Sequence, residues 1–216
     1  MPELDFQIID VKPAKYAITP TLLFTLAVEQ QGSPLPIRNI ALQCQARIET
    51  RQRDYLHSEQ LRLDDLFGEP ARWGESLQSL LWIQVGAMVP AFDGKNTQVE
   101  LTVPCSFDFN LAATKYFHGL EHGEVPLLFL FSGSVFYLNE EGALAMDAIS
   151  WNQEAHFRMP VQVWKDLMDG YYPNQTWLCL NRANFDALYE YKRRLGYVGF
   201  DEALSELLLQ TKKVAS

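Results

Sequence analysis

The sequence predicts an α+β fold, in which an antiparallel β-sandwich-like body of about seven to eight strands is followed by a C-terminal helical segment. Several short stretches before residue 160 alternate apolar and polar residues, which is the period of a strand with one buried face. After Pro160, apolar residues recur at helical spacing instead. We therefore predict a body over residues 1–160 and a helical tail over residues 161–216 that packs on it within the same domain.

The predicted strands follow one another along the body. The clearest covers Ile40–Ile48, where five apolar residues alternate with Gln, Gln and Arg. Strands at Phe6–Val11 and Leu22–Val28 precede it, and we expect all three to pair in one antiparallel sheet. Further strands are predicted at residues 80–88, 99–103 and 155–159.

The stretch Glu124–Tyr137 predicts the central strand. Its residues Leu127–Phe131 are apolar without interruption, a pattern typical of a strand covered on both faces. Leu128, Phe129 and Leu130 should therefore all be nearly buried. Gly133, which follows this run, indicates a bulge or a close approach of two backbones.

Helices are predicted from their caps and stops. A short helical insertion near residues 58–67 begins with Ser58 as cap and ends at Gly68. In the tail, the first helix follows Pro160 and stops at Gly170, and the third begins at Asp201. The second is capped by Asn181 and ended by Gly196. For residues 106–120 the pattern fits a strand and a helix equally. It also fits both a sandwich and sheets that close into a barrel.

Composition and charge exclude several classes of partner. Residues 1–160 hold 11 basic and 20 acidic side chains, whereas residues 161–216 hold seven of each. An acidic body repels phosphate backbones, so a nucleic-acid partner is not expected. No apolar run approaches the roughly 20 residues of a membrane helix, and the start lacks the features of a secretory signal. The three cysteines are scattered along the chain, which predicts reduced thiols. Together these features favour a cytoplasmic protein without a membrane partner.

Several short segments of the sequence resemble those of an uncharacterised bacterial family known only as a domain of unknown function. They are Leu66-Phe67-Gly68-Glu69-Pro70-Ala71-Arg72-Trp73-Gly74, Val103-Pro104-Cys105, Lys115-Tyr116-Phe117-His118, Pro126-Leu127-Leu128 and Phe131-Ser132-Gly133. The resemblance runs from end to end but carries over no catalytic or binding residue. The resemblance implies a cellular role close to hydrogenase assembly, because members of the family are often encoded near nickel–iron hydrogenase genes and their maturation factors.

One stretch matches a metal-binding signature. His118-Gly119-Leu120-Glu121-His122 has the H-x-x-E-H pattern of inverted zinc proteases, in which two histidines bind zinc and the glutamate activates water. Gly119 lies inside the motif, Gly123 follows it directly and the central strand begins at Glu124, so a helix long enough to present both histidines is not expected. We favour a structural turn, with metal binding by His118, Glu121 or Glu124, and His122 as the alternative.

Aromatic residues near predicted element ends form a second candidate site. Trp73, Tyr171, Tyr172 and Trp177 could anchor a partner protein, or they could seal the junction between the body and the helices. The sequence contains no catalytic signature beyond the H-x-x-E-H match, and it predicts no cofactor. Together with the resemblance, this favours a non-enzymatic accessory protein that binds another protein in hydrogenase assembly or maturation. The alternative is a small-ligand or metal-binding module that uses the turn from His118 to Glu124.

Overall fold

The structure is a computed structural model that describes residues 2–106, 111–150, 152–176 and 178–214, with side chains described as far as residue 211. The chain divides into two compact units, Met1–Gln175 and Thr176–Ser216. The first unit contains the sheets and four helices, and the second contains two further helices. The predicted packing of the tail on the body stays a prediction.

The described residues form eight strands and six α-helices. The strands are β1 (Glu3–Pro13), β2 (Thr21–Gln31), β3 (Ile37–Ile48), β4 (Leu80–Val89), β5 (Asn96–Pro104), β6 (Glu124–Leu138), β7 (Leu144–Ala148) and β8 (Glu154–Pro160). The helices are α1 (His57–Phe67), α2 (Trp73–Ser76), α3 (Leu111–Gly119), α4 (Val161–Tyr171), α5 (Arg182–Leu195) and α6 (Phe200–Val214).

The strands pair in two antiparallel sheets. The first has the order β1-β2-β5, and the second has the order β4-β3-β6, with β7 and β8 pairing with different halves of β6. The prediction that β1, β2 and β3 share a sheet was therefore wrong. β5 occupies the free edge of β2, and the turn after Gln31 carries the chain into the other sheet, where β3 lies between β4 and β6.

The two sheets pack face to face, as the sequence predicted. Aromatic side chains from both inner faces meet in the core: Phe6 stacks on Phe131 with ring centroids 4.9 Å apart, and Phe24 lies 5.2 Å from Phe129. β4 lies beside β5, and β1 beside β8, at the two open sides. Because the hydrogen-bonded ladders of the described strands form two separate sheets, the body is a sandwich rather than a closed barrel.

β6 is the central strand of its sheet, but its outer face is only partly buried. Leu127, Phe129 and Phe131 point into the core, whereas Leu128 and Leu130 are half-buried on the outer face. The prediction that Leu128 and Leu130 are nearly buried was wrong. The uninterrupted apolar run marks a strand with neighbours on both edges, whose outer side chains are shielded in part by the adjoining strands.

Gly133 lies at the point where β6 changes neighbours. β8 pairs with Glu124–Leu130 and β7 pairs with Ser134–Leu138, and the Gly133 carbonyl accepts a hydrogen bond from Ile149 N–H at 2.9 Å. Gly133 has φ +139°, and a Cβ there would lie 2.0 Å from the backbone oxygen of Ala41 on β3. The predicted close approach of two backbones is confirmed.

Several helix boundaries differ from the predictions for local reasons. α1 begins at His57 with Leu56 as its N-cap, so the prediction of Ser58 as the cap was wrong; the Glu59 side chain accepts from Leu56 N–H at 3.0 Å instead. Residues 106–120, for which the sequence left strand and helix as alternatives, contain helix α3 from Leu111 onward. Residues 107–110 lie outside the described residues. β7 was not predicted, because five residues with one polar side chain give too weak an alternation.

The tail helices follow the predictions closely. α4 continues through Gly170 to Tyr171, one residue beyond the predicted stop. The Asn181 side chain caps α5 by accepting from Asn184 N–H at 2.8 Å, and Gly196 ends it in a left-handed conformation with φ +74°. Among the described residues, no helix is both long and apolar enough to cross a bilayer.

Candidate functional site

The H-x-x-E-H stretch forms the connection between α3 and β6. α3 ends at Gly119, so His118 lies on its last turn and His122 lies beyond it in the turn that leads to β6. Both histidine side chains are exposed. Gly119 has a packing role as well, because a Cβ there would lie 2.7 Å from the side chain of Leu63 on α1. The two histidines are therefore not presented by one continuous helix, as the glycines predicted.

A buried ion pair holds this turn in place. The Arg53 guanidinium donates to Glu59 Oε1 at 2.7 Å, and the two side chains are 9% and 1% exposed. Arg53 also donates to the carbonyl oxygens of His122 at 2.6 Å and Glu124 at 2.7 Å. Glu59 Oε1 in turn accepts from Glu121 N–H at 2.7 Å. The backbone of the turn is thus bound from both sides by one arginine and one glutamate.

The environment of Glu59 favours its charged form. Burial of the carboxylate opposes ionisation and by itself raises the pKa. Hydrogen bonds from the N–H groups of Glu121 and Leu56, together with the Arg53 guanidinium, outweigh that effect and hold the pKa of Glu59 below its usual value. Glu59 is therefore ionised at neutral pH and acts as an acceptor that fixes the turn.

Aromatic side chains cover this ion pair. The Tyr55 hydroxyl donates to the Thr50 carbonyl at 2.7 Å and lies 2.9 Å from the hydroxyl of Tyr116. Burial raises the pKa of Tyr55 to about 12, and it raises the pKa of Tyr116 further still. Arg53 lies 5.7 Å from the centre of the Tyr55 ring. Both phenols are therefore neutral hydrogen-bonding groups at physiological pH.

The turn offers few free ligands to a metal ion. The Glu121 carboxylate pairs with Arg62 at 3.1 Å, and its carbonyl oxygen accepts from Lys165 at 2.7 Å. Within the described ranges, no three His, Cys, Asp or Glu side chains lie close enough together to hold a metal. Metal binding by His118, Glu121 and His122 stays a prediction that a direct measurement must decide.

We expect zinc or nickel to leave the melting temperature of this protein unchanged. A metal bound only by the folded state would add about 2.7 kcal/mol of stability at one hundred times its dissociation constant, which is readily visible in a thermal melt. The measurement compares wild type with His118→Ala/His122→Ala, each with and without metal. A shift in wild type that the double variant lacks would instead establish a histidine-dependent site.

The predicted aromatic surface divides into different environments. Trp73 is buried, and its Nε1–H donates to the Gly68 carbonyl at 2.7 Å, so it belongs to the core. Tyr171 and Tyr172, at the end of α4, are half-buried, and their ring centroids lie 6.5 Å apart. Trp177 lies outside the described residues. Of the four, Tyr171 and Tyr172 are therefore the ones that the structure places at the surface.

Tyr171 supports an exposed loop that the sequence did not single out. The β1–β2 loop, residues 14–20, carries Tyr16 and Ile18, and both side chains are 100% exposed. The Tyr171 hydroxyl donates to the Ala17 carbonyl at 2.6 Å, between these two residues. Tyr16 itself has φ +63°, a left-handed conformation that is uncommon for a residue with a side chain.

Further hydrogen bonds fix both ends of this loop. Ala14 N–H donates to the Thr21 carbonyl at 2.8 Å, and Cys105 N–H donates to the Pro20 carbonyl at 2.8 Å. The Thr21 hydroxyl donates to the Thr19 carbonyl at 2.9 Å. The two apolar side chains are thus held in solvent by a backbone anchored at its start, middle and end. In the sequence, only the prolines at 13 and 20 mark this loop.

Comparison with known proteins identifies the family without giving an activity. The whole chain, residues 1–216, matches the family described as "Family of unknown function (DUF6084)", and the chain belongs to that family. The predicted resemblance to an uncharacterised family is confirmed. No curated protein matches the chain.

One comparison with solved structures gives a match to β-glucosidase 3B from Thermotoga neapolitana in complex with α-D-glucose. The two chains are 13% identical, the match covers 73% of this chain, and the TM-score is 0.25. This chain spans 17% of the length of that enzyme. A TM-score of this size carries no argument about fold or activity.

Proposed function

We propose that this protein is a non-enzymatic accessory protein that binds another protein through the β1–β2 loop. The observation that carries the proposal is the complete exposure of Tyr16 and Ile18 on a loop whose backbone is fixed. Single exposed apolar residues are ordinary on protein surfaces. Two fully exposed ones, separated by a single residue on an anchored loop, are typical of a contact surface that a partner covers.

The rigidity of the loop supports this function energetically. A partner that binds a mobile loop must offset the entropy lost when each side chain and its backbone become ordered. Here four backbone positions of the loop are already held by hydrogen bonds, so that cost is reduced before binding. Tyrosine also offers a large contact area with few rotatable bonds, and it is enriched among residues that dominate binding energy. Tyr16 is accordingly the main anchor of the proposed surface.

The cellular role that we propose for this binding surface is based on the resemblance of the sequence. The resemblance to proteins encoded near nickel–iron hydrogenase genes points to a partner in hydrogenase assembly or maturation. The three cysteines are free thiols, which supports a reducing compartment such as the cytoplasm. The non-enzymatic part of the proposal rests on the sequence motifs alone.

The test removes both anchors at once. We expect Tyr16→Ser/Ile18→Ser to abolish binding of a partner that wild type captures from extracts of the native host, with an unchanged melting temperature, because neither side chain is buried. A matched control is Leu144→Ser/Met146→Ser, which removes two exposed apolar side chains from β7. The proposal fails if the loop variant captures the same proteins as wild type and the control.

Deleting the gene in that host tests the proposed role in hydrogenase assembly separately. Loss of hydrogenase activity that wild type restores and the loop variant does not would tie the surface to hydrogenase assembly. Full hydrogenase activity in the deletion strain would remove that role from the proposal, while leaving the loop as a binding surface for another partner.

A further inference from the structure

Tyr16 holds a strained backbone conformation in the β1–β2 loop. Its φ of +63° places a residue with a large side chain in the left-handed region. Crowding between Cβ and the following carbonyl oxygen disfavours that region for a residue with a side chain. Strained residues of this kind persist only where neighbouring groups hold them, and they are common in ligand-binding and switch segments. The conformation of this loop therefore depends on the groups that hold it.

One side chain holds the middle of the loop. Among the described residues, the Tyr171 hydroxyl is the only group that forms a hydrogen bond with residues 15–18, through the carbonyl oxygen of Ala17. The net contribution of one hydrogen bond is similar in size to the strain of one left-handed residue. Because the two effects nearly cancel, the loop should leave this conformation when the hydroxyl is removed.

Tyr171 can hold the loop because α4 is itself fixed. Trp164 of α4 is buried and stacks on Phe117 of α3, with ring centroids 5.3 Å apart. Nearer the start of α4, Lys165 donates to the Glu121 carbonyl at 2.7 Å. The turn that carries the H-x-x-E-H motif thus supports the start of this helix, and Tyr171 at the end of the helix supports the loop.

We propose that Tyr171 is a positioning residue, which keeps the β1–β2 loop in the conformation that its partner binds and does not itself touch that partner. This role rests on the proposed function and adds a residue outside the contact surface on which binding depends. When a partner binds only one of two loop conformations, its apparent affinity falls in proportion to the fraction of molecules in that conformation. Loss of the hydroxyl should lower this fraction, although Tyr16 and Ile18 are still present.

The test compares two variants of α4 that each lose one hydrogen bond to a carbonyl oxygen. Tyr171→Phe removes the bond to the loop, and Lys165→Met, the matched control, removes the bond to the turn near the other end of the helix. We expect ¹⁵N order parameters of about 0.85 for Tyr16, Ala17 and Ile18 in wild type and in the control. In Tyr171→Phe they should fall towards about 0.6, the value of flexible backbone. This measurement needs no partner.

Binding kinetics distinguish a positioning residue from a contact residue. With the partner that wild type captures through the loop, Tyr171→Phe should lower the association rate constant roughly 2- to 10-fold, the effect of one net hydrogen bond. The dissociation rate constant should stay unchanged, because the bound loop keeps its contacts. Tyr16→Ser should instead raise the dissociation rate constant, because it removes a contact.

Three results would overturn this role alone: unchanged order parameters in Tyr171→Phe, an unchanged association rate constant in that variant, or equal loosening of the loop in Lys165→Met. If Tyr16→Ser/Ile18→Ser still binds the partner, the proposed function fails, and this role fails with it.

Discussion

Replacing Glu59 by Gln should lower the free energy of unfolding by about 3–5 kcal/mol, because it leaves a buried guanidinium without its counter-charge. The Arg53 side chain is 9% exposed and cannot turn to water without releasing the carbonyls of His122 and Glu124. The carboxylate now accepts from Leu56 N–H through Oε2 and from Glu121 N–H through Oε1, so the amide NH₂ of the variant would face one of these two donors, whichever way it turned. Urea denaturation of the two proteins measures the difference directly.

Glu121→Gln provides the matched control in the same turn. Its carboxylate pairs with Arg62 at the surface, where ion pairs contribute about 0–1 kcal/mol. We expect its unfolding midpoint to stay close to that of wild type. Equal small losses in the two variants would show that the buried pair does not hold the turn.

The pH dependence of the same variant adds an independent measurement. The folded pKa of Glu59 lies below its unfolded value, which is about 4.3 for a glutamate. Its stabilising contribution is therefore fully present above that pH and is lost as the pH falls through the lower folded pKa. The difference in stability between wild type and Glu59→Gln should be constant near neutral pH and shrink below about pH 4.

Most elements of this fold were predictable from the sequence, whereas the pairing of its strands was not. Alternation in β3 and the capping residue Asn181 are local signals, and both predictions were confirmed. Sheet pairing depends on residues far apart in the sequence, such as β2 with β5. Adjacent strands therefore appeared to share a sheet, although the chain crosses between sheets after β2.

The buried ion pair between Arg53 and Glu59 was not predictable from the sequence either, because its two residues act on a turn far along the chain. The sequence drew attention to His118, Glu121 and His122, which have a recognised spacing. The residues that organise the turn are Arg53 and Glu59, about 60 to 70 positions earlier in the chain. A lone arginine and a helix-start glutamate carry no spacing signal, so only the fold reveals that they meet.

The exposed loop escaped prediction for a different reason. Nearness to the end of a predicted element is a poor guide to exposure, because Trp73 lies at such an end and is a core residue. Exposure depends on what covers a side chain in three dimensions, and the sequence does not show this for either Tyr16 or Trp73. Gly133 was predictable, because glycine within an otherwise strongly apolar strand has few structural explanations.

Replacing Gly133 by Ala should destabilise the protein by roughly 2–6 kcal/mol, which combines about 1–3 kcal/mol of backbone strain with about 1–3 kcal/mol of steric overlap. The added Cβ would lie 2.0 Å from the Ala41 carbonyl oxygen, and this neighbour is backbone in the middle of a sheet. Relief would require β3 and β6 to separate, which breaks the ladder between them. Thermal or urea unfolding of the purified variant measures the loss.

Gly142→Ala separates the two contributions. Gly142 also has a positive φ, +78°, but a Cβ there would meet no atom within 4 Å. It should therefore cost only the strain of a left-handed alanine, roughly 1–2 kcal/mol. A Gly133→Ala variant no less stable than Gly142→Ala would mean that β3 and β6 can move apart freely. Because β6 joins β3, β7 and β8 in one sheet, we expect the larger loss at Gly133.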